Sequence, residues 1–109
     1  MGSLGDFFPR LDGFEWDAGN SEKNWLRHEV RQAEAEQALL NTPLVVSATV
    51  KHRGPEARYI ALGQTDAGRC LTVVFTARGT RIRVISARAM SKTERGMYDQ
   101  IETGPEGHS

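Results

Sequence analysis

The sequence is poor in cysteine and in long apolar runs. Its 109 residues include one cysteine, Cys70, so an internal disulfide bond is excluded. Cys70 lies in a predicted strand with no histidine or cysteine pair nearby, which favours a small buried side chain over a nucleophile or a metal ligand. No apolar run approaches the roughly 20 residues that a membrane-spanning helix needs. The N-terminal residues lack the basic region and long apolar stretch of a signal peptide, so we expect a cytoplasmic protein.

Several common catalytic motifs are also missing. The sequence contains no GxxxxGK[ST] phosphate loop, no GxGxxG after a strand and no GxSxG nucleophile elbow. Histidines, cysteines and paired carboxylates do not occur at metal-ligand spacing, and His52 is expected to be a loop residue. We therefore expect neither a metal ion nor another cofactor.

The formal net charge is zero, but the charges are distributed unevenly. Residues 1–50 carry four basic and eight acidic side chains, whereas residues 51–95 carry ten basic and three acidic ones, a net charge of +7. Ten positive groups on a few strands predict a basic surface that binds a polyanion. The alternative is that they pair with the acidic N-terminal half, because surface ion pairs form readily.

Apolar periodicity predicts an α+β fold with a small antiparallel sheet of about four to five strands, two N-terminal helices and one C-terminal helix. Short polar turns between apolar strands favour antiparallel hairpins. The predicted order is strand, helix, helix, four strands and helix, with the helices near 21–28, 31–40 and 92–101. We expect a flexible lead over 1–12, a single domain over 13–102 and a disordered tail over 103–109.

The predicted helix over 31–40 is rich in strong helix formers and ends before Pro43. Its apolar stripe is weak, which indicates packing by small residues. The residues expected on the buried side are Val30, Ala33, Gln37 or Ala38, and Leu40.

The segment 80–98 carries the clearest local signals. Arginines alternate with apolar residues over 81–85, which is typical of a strand with a buried face. Ser91 is followed three positions later by Glu94, so each residue can bond the backbone N–H of the other in a capping box. This pattern predicts a helix start near Lys92.

Four segments occur in a recognisable order. They are FEWD at 14–17, KN at 23–24 with His28, ARYIALG at 57–63, and VVFTARGTRIRVISARAMSKTER at 73–95 followed by Tyr98. Together they resemble the BrnT family of type II toxins, which belongs to the wider RelE-like ribonuclease group. The similarity extends over about 14–98 and is densest in RIRVISARAMSKTERGMY.

The resemblance implies a small endoribonuclease that cleaves RNA without a metal ion and slows translation when free. It also implies neutralisation by a ribbon-helix-helix antitoxin of the BrnA type, and binding to operator DNA only through that antitoxin. Cleavage of this kind uses the adjacent 2′-hydroxyl as nucleophile, so the protein must orient the phosphate, stabilise its charge and transfer protons. Arginine suits the first two tasks because its planar donors match phosphate oxygens and stay protonated.

Position by position, the resemblance implies roles for particular residues. The predicted catalytic residues are Arg83, Arg88, His28 and Tyr98, and the predicted substrate-binding residues are Lys23, Arg58 and Arg81. The arginines would contact phosphate, and His28 or Tyr98 would transfer protons. Glu94 is expected to cap a helix or to hold an arginine.

Structural alternatives stay open for these residues. The two catalytic arginines can instead pair with Glu94 or Asp17, Tyr98 can pack a helix, and His28 can bond the last carbonyls of its helix. A second function class also stays open, a non-catalytic module that holds RNA or a partner protein. Convergence of the basic residues beside His28 or Tyr98 favours catalysis, and their separation into ion pairs opposes it.

Overall fold

The computed structural model describes residues 12–16, 28–48 and 57–102. In these ranges the chain forms five strands and two helices. The strands are β1 (Gly13–Glu15), β2 (Val45–Ala48), β3 (Arg58–Gln64), β4 (Cys70–Arg78) and β5 (Arg81–Ala89), and the helices are α1 (Gln32–Leu40) and α2 (Lys92–Glu102). The α+β class is confirmed, and the predicted helix over 21–28 lies outside the described residues except for His28. Neither described helix is long and apolar enough to cross a membrane.

The sheet is mixed, with the strand order β1-β5-β4-β3-β2. Strands β2 to β5 form an antiparallel meander, and the short turns predict this arrangement for β3 to β5. Strand β1 instead pairs in parallel with β5, with Gly13 beside Arg81 and Glu15 beside Arg83. The prediction of an antiparallel sheet was wrong for this pair. No turn joins β1 directly to β5, so no local signal in the sequence sets their relative direction.

Strand β5 contains a β-bulge. The register shifts between Val74 and Phe75 of β4, which leaves Ile85 of β5 without a partner on that strand. One extra residue reverses the alternation of side chains along the rest of the strand. Arg83 and Arg88 are five positions apart and would point to opposite faces of a regular strand. Because of the bulge, they lie on the same face.

Helix α1 covers one face of the sheet, where the main core lies. Tyr59 and Phe75 stack across β3 and β4 on this face, with their ring centroids 5.5 Å apart. Burial of apolar surface stabilises the fold by about 25 cal/mol per Å². The apolar side chains of this face therefore serve the core. The fully buried residues of this core are Val30, Ala35, Ala38, Leu39, Leu44, Ala61, Leu71, Val73, Phe75, Ile82, Val84 and Ala87.

Helix α1 lies close to the sheet because glycine occupies the point of contact. A Cβ atom added at Gly63 would be 2.1 Å from the carbonyl oxygen of Ala38. The helix buries Ala35 and Ala38, whereas Ala33 and Leu40 are exposed. Packing by small residues is therefore confirmed, but the predicted stripe was wrong at Ala33 and Leu40. The close approach at Gly63 rotates the helix so that Ala38 faces the sheet.

Helix α2 lies against the opposite face and starts at the predicted capping box. The Ser91 N–H donates to Oε1 of Glu94 at 2.8 Å, and the Glu94 N–H donates to Oγ of Ser91 at 3.2 Å. The helix begins at Lys92, as predicted. Tyr98 is fully buried and its hydroxyl donates to the carbonyl oxygen of Pro43, which ties the helix to the segment before β2.

Candidate functional site

The face of the sheet opposite α1 carries the arginines of β3 and β5, and we call it the arginine face. Register partners on adjacent strands share a face, so Arg58, Arg81, Arg83 and Arg88 all belong to it. Helix α2 covers the end of this face near Arg88. The two ends of the arginine face therefore have different surroundings.

At the end away from α2, four residues lie side by side across four strands. We call this set the arginine row: Glu15, Arg83, Thr76 and Arg58. Neighbouring strands are about 4.8 Å apart, so the Cα atoms of Arg58 and Arg83 are roughly 10 Å apart with Thr76 between them. Arg58 is exposed and Arg83 is half-buried. Two guanidinium groups in this arrangement can contact the same phosphate group.

Thr76 has an unusual side chain. It is only 4% exposed, and no residue within 12–16, 28–48 and 57–102 makes a hydrogen bond with its buried Oγ1 atom. Buried hydroxyl groups are nearly always hydrogen-bonded, because an unpaired one costs about 1–3 kcal/mol. Thr72, on the same face of β4, does have a partner, since its hydroxyl donates to Glu94 at 2.9 Å. The centre of the arginine row therefore holds an unpaired polar atom.

Arg81 lies next to the arginine row, two residues before Arg83. Its side chain is 59% exposed, and its Nε atom is 3.9 Å from Oδ1 of Asp12. An exposed contact of this length contributes little to stability. The predicted substrate-binding residues Arg58 and Arg81 thus share one end of the arginine face with Arg83.

At the other end of the face, Glu94 organises a set that we call the Glu94 hub: Glu94, Arg88, Thr72 and Ser91. Arg88 donates from Nη1 to Oε1 of Glu94 at 2.7 Å and from Nη2 to Oε2 at 2.9 Å. The Thr72 hydroxyl and the Ser91 N–H also donate to Oε1, at 2.9 and 2.8 Å. Arg88 therefore pairs with Glu94, which is its structural alternative. Glu94 both caps helix α2 and holds an arginine, the two roles expected for it.

The hub keeps Glu94 ionised. The hydrogen bond from the Arg88 guanidinium lowers the pKa of Glu94 to about 2, and the Ser91 N–H and the Thr72 hydroxyl add to this effect. The same interaction raises the pKa of Arg88. A carboxylate with so low an affinity for protons is a poor general base near neutral pH. The geometry of Glu94 therefore indicates a structural role.

His28 is held at the same end of the sheet as the Glu94 hub. Arg69, in the β3–β4 turn, donates from Nη2 to the carbonyl oxygen of His28 at 3.1 Å and from Nη1 to that of Glu29 at 2.7 Å. Arg69 directly precedes β4, and Thr76 lies seven residues further along the chain, roughly 20 Å away at strand spacing. The His28 side chain is half-buried. His28 is thus placed far from the arginine row.

Arg69 also links the basic segment to the acidic N-terminal half. Its Nη1 atom is 3.1 Å from Oε2 of Glu34 on α1. Burial by itself would raise the pKa of Glu34, but the Arg31 N–H and the Arg69 guanidinium together lower it. The Arg81–Asp12 contact joins the same two parts of the chain. The alternative of charge pairing is therefore observed for Arg69 and Arg81.

Tyr98 lies within the packing between α2 and the rest of the protein. Its side chain is fully buried, and its hydroxyl proton is donated to the carbonyl oxygen of Pro43. A tyrosine that transfers a proton must present its hydroxyl to the substrate. The position of Tyr98 therefore supports its structural alternative, helix packing.

Lys23 lies outside the described residues. The other predicted site residues do not form one cluster: Arg58, Arg81 and Arg83 lie at one end of the arginine face, and Arg88 lies at the other with the backbone of His28. The partial convergence of the arginines favours phosphate binding at the arginine row. The ion pair between Arg88 and Glu94 argues against a phosphate contact by Arg88.

The structure adds two residues that sequence reasoning does not single out, Thr76 and Arg69. Thr76 could have been found from the two hairpin turns, because their register places it between two arginines. Arg69 has no local signal, since its partners His28, Glu29 and Glu34 are 35 to 41 positions away in the chain.

The polar groups that the described residues offer to a ligand are mainly guanidinium and hydroxyl groups. Within 12–16, 28–48 and 57–102, no group of three or more histidine, cysteine, aspartate or glutamate side chains lies close enough together to hold a metal ion. Glu34 and Glu94 instead bind arginines. Guanidinium and hydroxyl donors favour an anionic ligand.

The chain is similar to known proteins. A family model described as "Ribonuclease toxin, BrnT, of type II toxin-antitoxin system" matches residues 16–94, which are 79 of the 109 residues. Among solved structures, the chain is similar to the crystal structure of the Brucella abortus ribonuclease toxin BrnT, with a TM-score of 0.51 and 25% sequence identity. The match covers 73% of this chain and 97% of that chain. No curated protein matches the chain.

Proposed function

Because the chain belongs to the BrnT family of ribonuclease toxins from type II toxin–antitoxin systems, we propose that it cleaves RNA by 2′-hydroxyl attack without a metal ion. Free toxin slows translation in this proposal, and a ribbon-helix-helix antitoxin of the BrnA type neutralises it. Operator DNA is bound only through that antitoxin. A cytoplasmic location and a place in the RelE-like ribonuclease group complete the proposal.

The observation that carries the chemistry is the arginine row. Arg58 and Arg83 flank one position of the sheet, so their guanidinium groups can orient a phosphate and stabilise the charge that develops on its oxygens. In the proposed step, the 2′-oxygen bonds to the adjacent phosphorus and the bond to the 5′-oxygen breaks. The proton that leaves the 2′-hydroxyl passes to water, and water supplies the proton that reaches the 5′-oxygen. The products carry a 2′,3′-cyclic phosphate and a 5′-hydroxyl.

Among the residues considered for proton transfer, His28 is the one whose side chain is not engaged in a structural contact described above, since the hydroxyl of Tyr98 and the carboxylate of Glu94 are bonded within the protein. The backbone of His28 lies at the Glu94 hub end of the sheet. A direct role for its side chain therefore requires the scissile phosphate at that end, near Arg88. The arginine row requires it at the opposite end, so substitutions of Arg83 and Arg88 distinguish the two placements.

The test of the proposal uses the purified full-length chain and a synthetic RNA. We expect cleavage to persist in EDTA. A single 2′-deoxynucleotide at the cleavage position should block cleavage there. The product should carry a 2′,3′-cyclic phosphate, which mass spectrometry identifies. A requirement for added Mg²⁺ would overturn the proposed chemistry. Cleavage at the deoxy position would exclude the 2′-hydroxyl as nucleophile.

A second test concerns the toxin role in cells. Expression without any partner is expected to arrest growth and to reduce protein synthesis, as measured by incorporation of labelled methionine. Co-expression of a ribbon-helix-helix protein from the adjacent reading frame is expected to restore both. Harmless expression at good yield would contradict a toxic activity.

The second candidate function is a non-catalytic module that holds RNA or a partner protein on the arginine face. The observation that favours it is the structural engagement of Arg88 and Tyr98. Tight binding of RNA without any cleavage, with or without Mg²⁺, would select this function.

A further inference from the structure

We infer that Thr76 is a further substrate-positioning residue, whose buried and unpaired hydroxyl donates to the phosphate that Arg58 and Arg83 hold on either side of it. The inference rests on the proposed function, because it concerns the same RNA phosphate. It adds a neutral hydrogen-bond donor beside the two guanidinium groups that hold the phosphate.

The first argument is the state of the Thr76 hydroxyl in the free protein. Its Oγ1 atom is buried and unpaired among the residues that the structure describes, and the side chain is 4% exposed. A threonine that only fills space on a strand is replaceable by valine, which has the same shape and no polar atom to desolvate. An unpaired buried hydroxyl is destabilising unless a ligand provides its partner.

The second argument is the contrast with Thr72, four residues earlier on the same face of β4. The Thr72 hydroxyl is also buried but donates to Glu94 at 2.9 Å. The two threonines lie about 13 Å apart along the strand. At the Thr72 end the protein supplies the anionic acceptor, and at the Thr76 end no such acceptor bonds the hydroxyl.

The third argument is the position of Thr76 in the register. Arg58 and Arg83 are its direct partners on β3 and β5, so both flank it at roughly 4.8 Å between strands. Arginine stems are long and rotatable, so the guanidinium groups can move onto a phosphate while the backbone stays in place. The phosphate then lies above Thr76, where the hydroxyl can donate to one of its oxygens.

The test measures binding, cleavage and stability together for Thr76→Val. Binding is measured by fluorescence anisotropy with a short 2′-O-methyl RNA, which cannot be cleaved, and cleavage with the matching unmodified RNA. A hydrogen bond to a charged group is strong enough to change affinity about ten- to a hundredfold. We expect binding and cleavage to weaken by that factor, while the melting temperature of the free protein stays the same or rises.

Two control variants separate positioning from packing. Thr76→Ser keeps the hydroxyl and is expected to restore RNA affinity to within about threefold of the original protein, since only a methyl group is lost. Thr72→Val removes a hydroxyl that is already bonded to Glu94. It is expected to lower the melting temperature and to leave RNA binding by the folded protein unchanged, the opposite of Thr76→Val.

Each outcome decides the inference. Unchanged binding and cleavage in Thr76→Val would overturn it, and so would a lower melting temperature, which would show that the hydroxyl is already used in the free protein. If the original protein binds the uncleavable RNA through Thr76 but cleaves no RNA, the proposed function fails and the inference stands. If it cleaves RNA and Thr76→Val cleaves equally well, the inference fails and the proposed function stands. A protein that neither binds nor cleaves RNA overturns both.

Discussion

Arg83 and Arg88 belong to the same strand and the same face of the sheet, but their environments differ. Arg88 makes a bidentate ion pair with Glu94, which also accepts from Thr72 and the Ser91 N–H. Arg83 lies between Glu15 on one side and the unpaired Thr76 on the other. One end of the arginine face thus resembles an occupied anion site, with Glu94 as the anion.

The comparison teaches how the protein divides a basic strand between structure and binding. A phosphate near Arg88 would have to displace a carboxylate that several donors hold, which leaves charged groups unpaired. A phosphate at the arginine row would instead provide a partner for a hydroxyl that lacks one. We therefore expect substitution of Arg83 to lower mainly the cleavage rate and substitution of Arg88 to lower mainly the stability.

The largest effect is expected for Arg83→Ala. Loss of a charge-stabilising donor typically lowers the rate by about 10²- to 10³-fold, whereas Arg88→Ala should mainly lower stability. Initial cleavage rates and thermal melting monitored by circular dichroism measure the two effects. Arg95→Ala, at an exposed arginine of α2, is the matched control and should change neither. If Arg88→Ala abolishes cleavage in folded protein and Arg83→Ala does not, the scissile phosphate binds at the end near His28.

The next largest effect is expected for Glu94→Gln, which tests the contribution of the Glu94 hub to stability. The substitution removes the bidentate ion pair with Arg88, whose side chain is 41% exposed, so solvent screens part of the interaction. We expect the free energy of unfolding to fall by about 1–2 kcal/mol, as measured in urea. Glu29→Gln, at an exposed glutamate outside the Glu94 hub, is the control for loss of one negative charge. Equal effects of the two substitutions would show that the Glu94 hub has no special contribution.

The stabilisation by Glu94 should also depend on pH, and it should decrease as the pH falls. The pKa of Glu94 is lowered from 4.5 to about 2 in the folded protein, so the unfolded state binds the proton more tightly. The stabilisation is therefore complete above about pH 4.5 and is lost as the pH falls towards 2. Urea unfolding of the original protein and Glu94→Gln from pH 7 to pH 2 should give a difference that shrinks below about pH 4.5 and nearly vanishes at pH 2. A difference that stays constant with pH would contradict the low pKa of Glu94.

The smallest effect is expected for Tyr98→Phe. The substitution removes one hydrogen bond to the Pro43 carbonyl and leaves the buried ring in place. We expect a loss of about 1 kcal/mol in the free energy of unfolding and unchanged cleavage by the folded protein. A more than tenfold loss of cleavage without unfolding would instead assign Tyr98 the catalytic role that the family resemblance implies.

Much of the fold follows from local signals in the sequence. The apolar periodicity and turn residues locate β2 to β5, and the serine–glutamate spacing locates the start of α2 at Lys92. The direction of β1 does not follow, because its partner β5 is more than sixty residues away in the chain. The buried side of α1 does not follow either, because it depends on the contact between Ala38 and Gly63.

Some properties of the candidate site likewise follow from the sequence, and others depend on the tertiary structure. By itself the sequence determined that the arginines are concentrated on the later strands, that residues 51–95 carry a net charge of +7, and that Glu94 caps a helix, because these properties depend on composition and on residues a few positions apart. Only the tertiary structure decided which arginines can meet a ligand. The bulge at Ile85 brings Arg83 and Arg88 to one face, and strand register places Thr76 between Arg58 and Arg83. Both depend on pairing between distant segments, where a shift of one residue reverses every side chain.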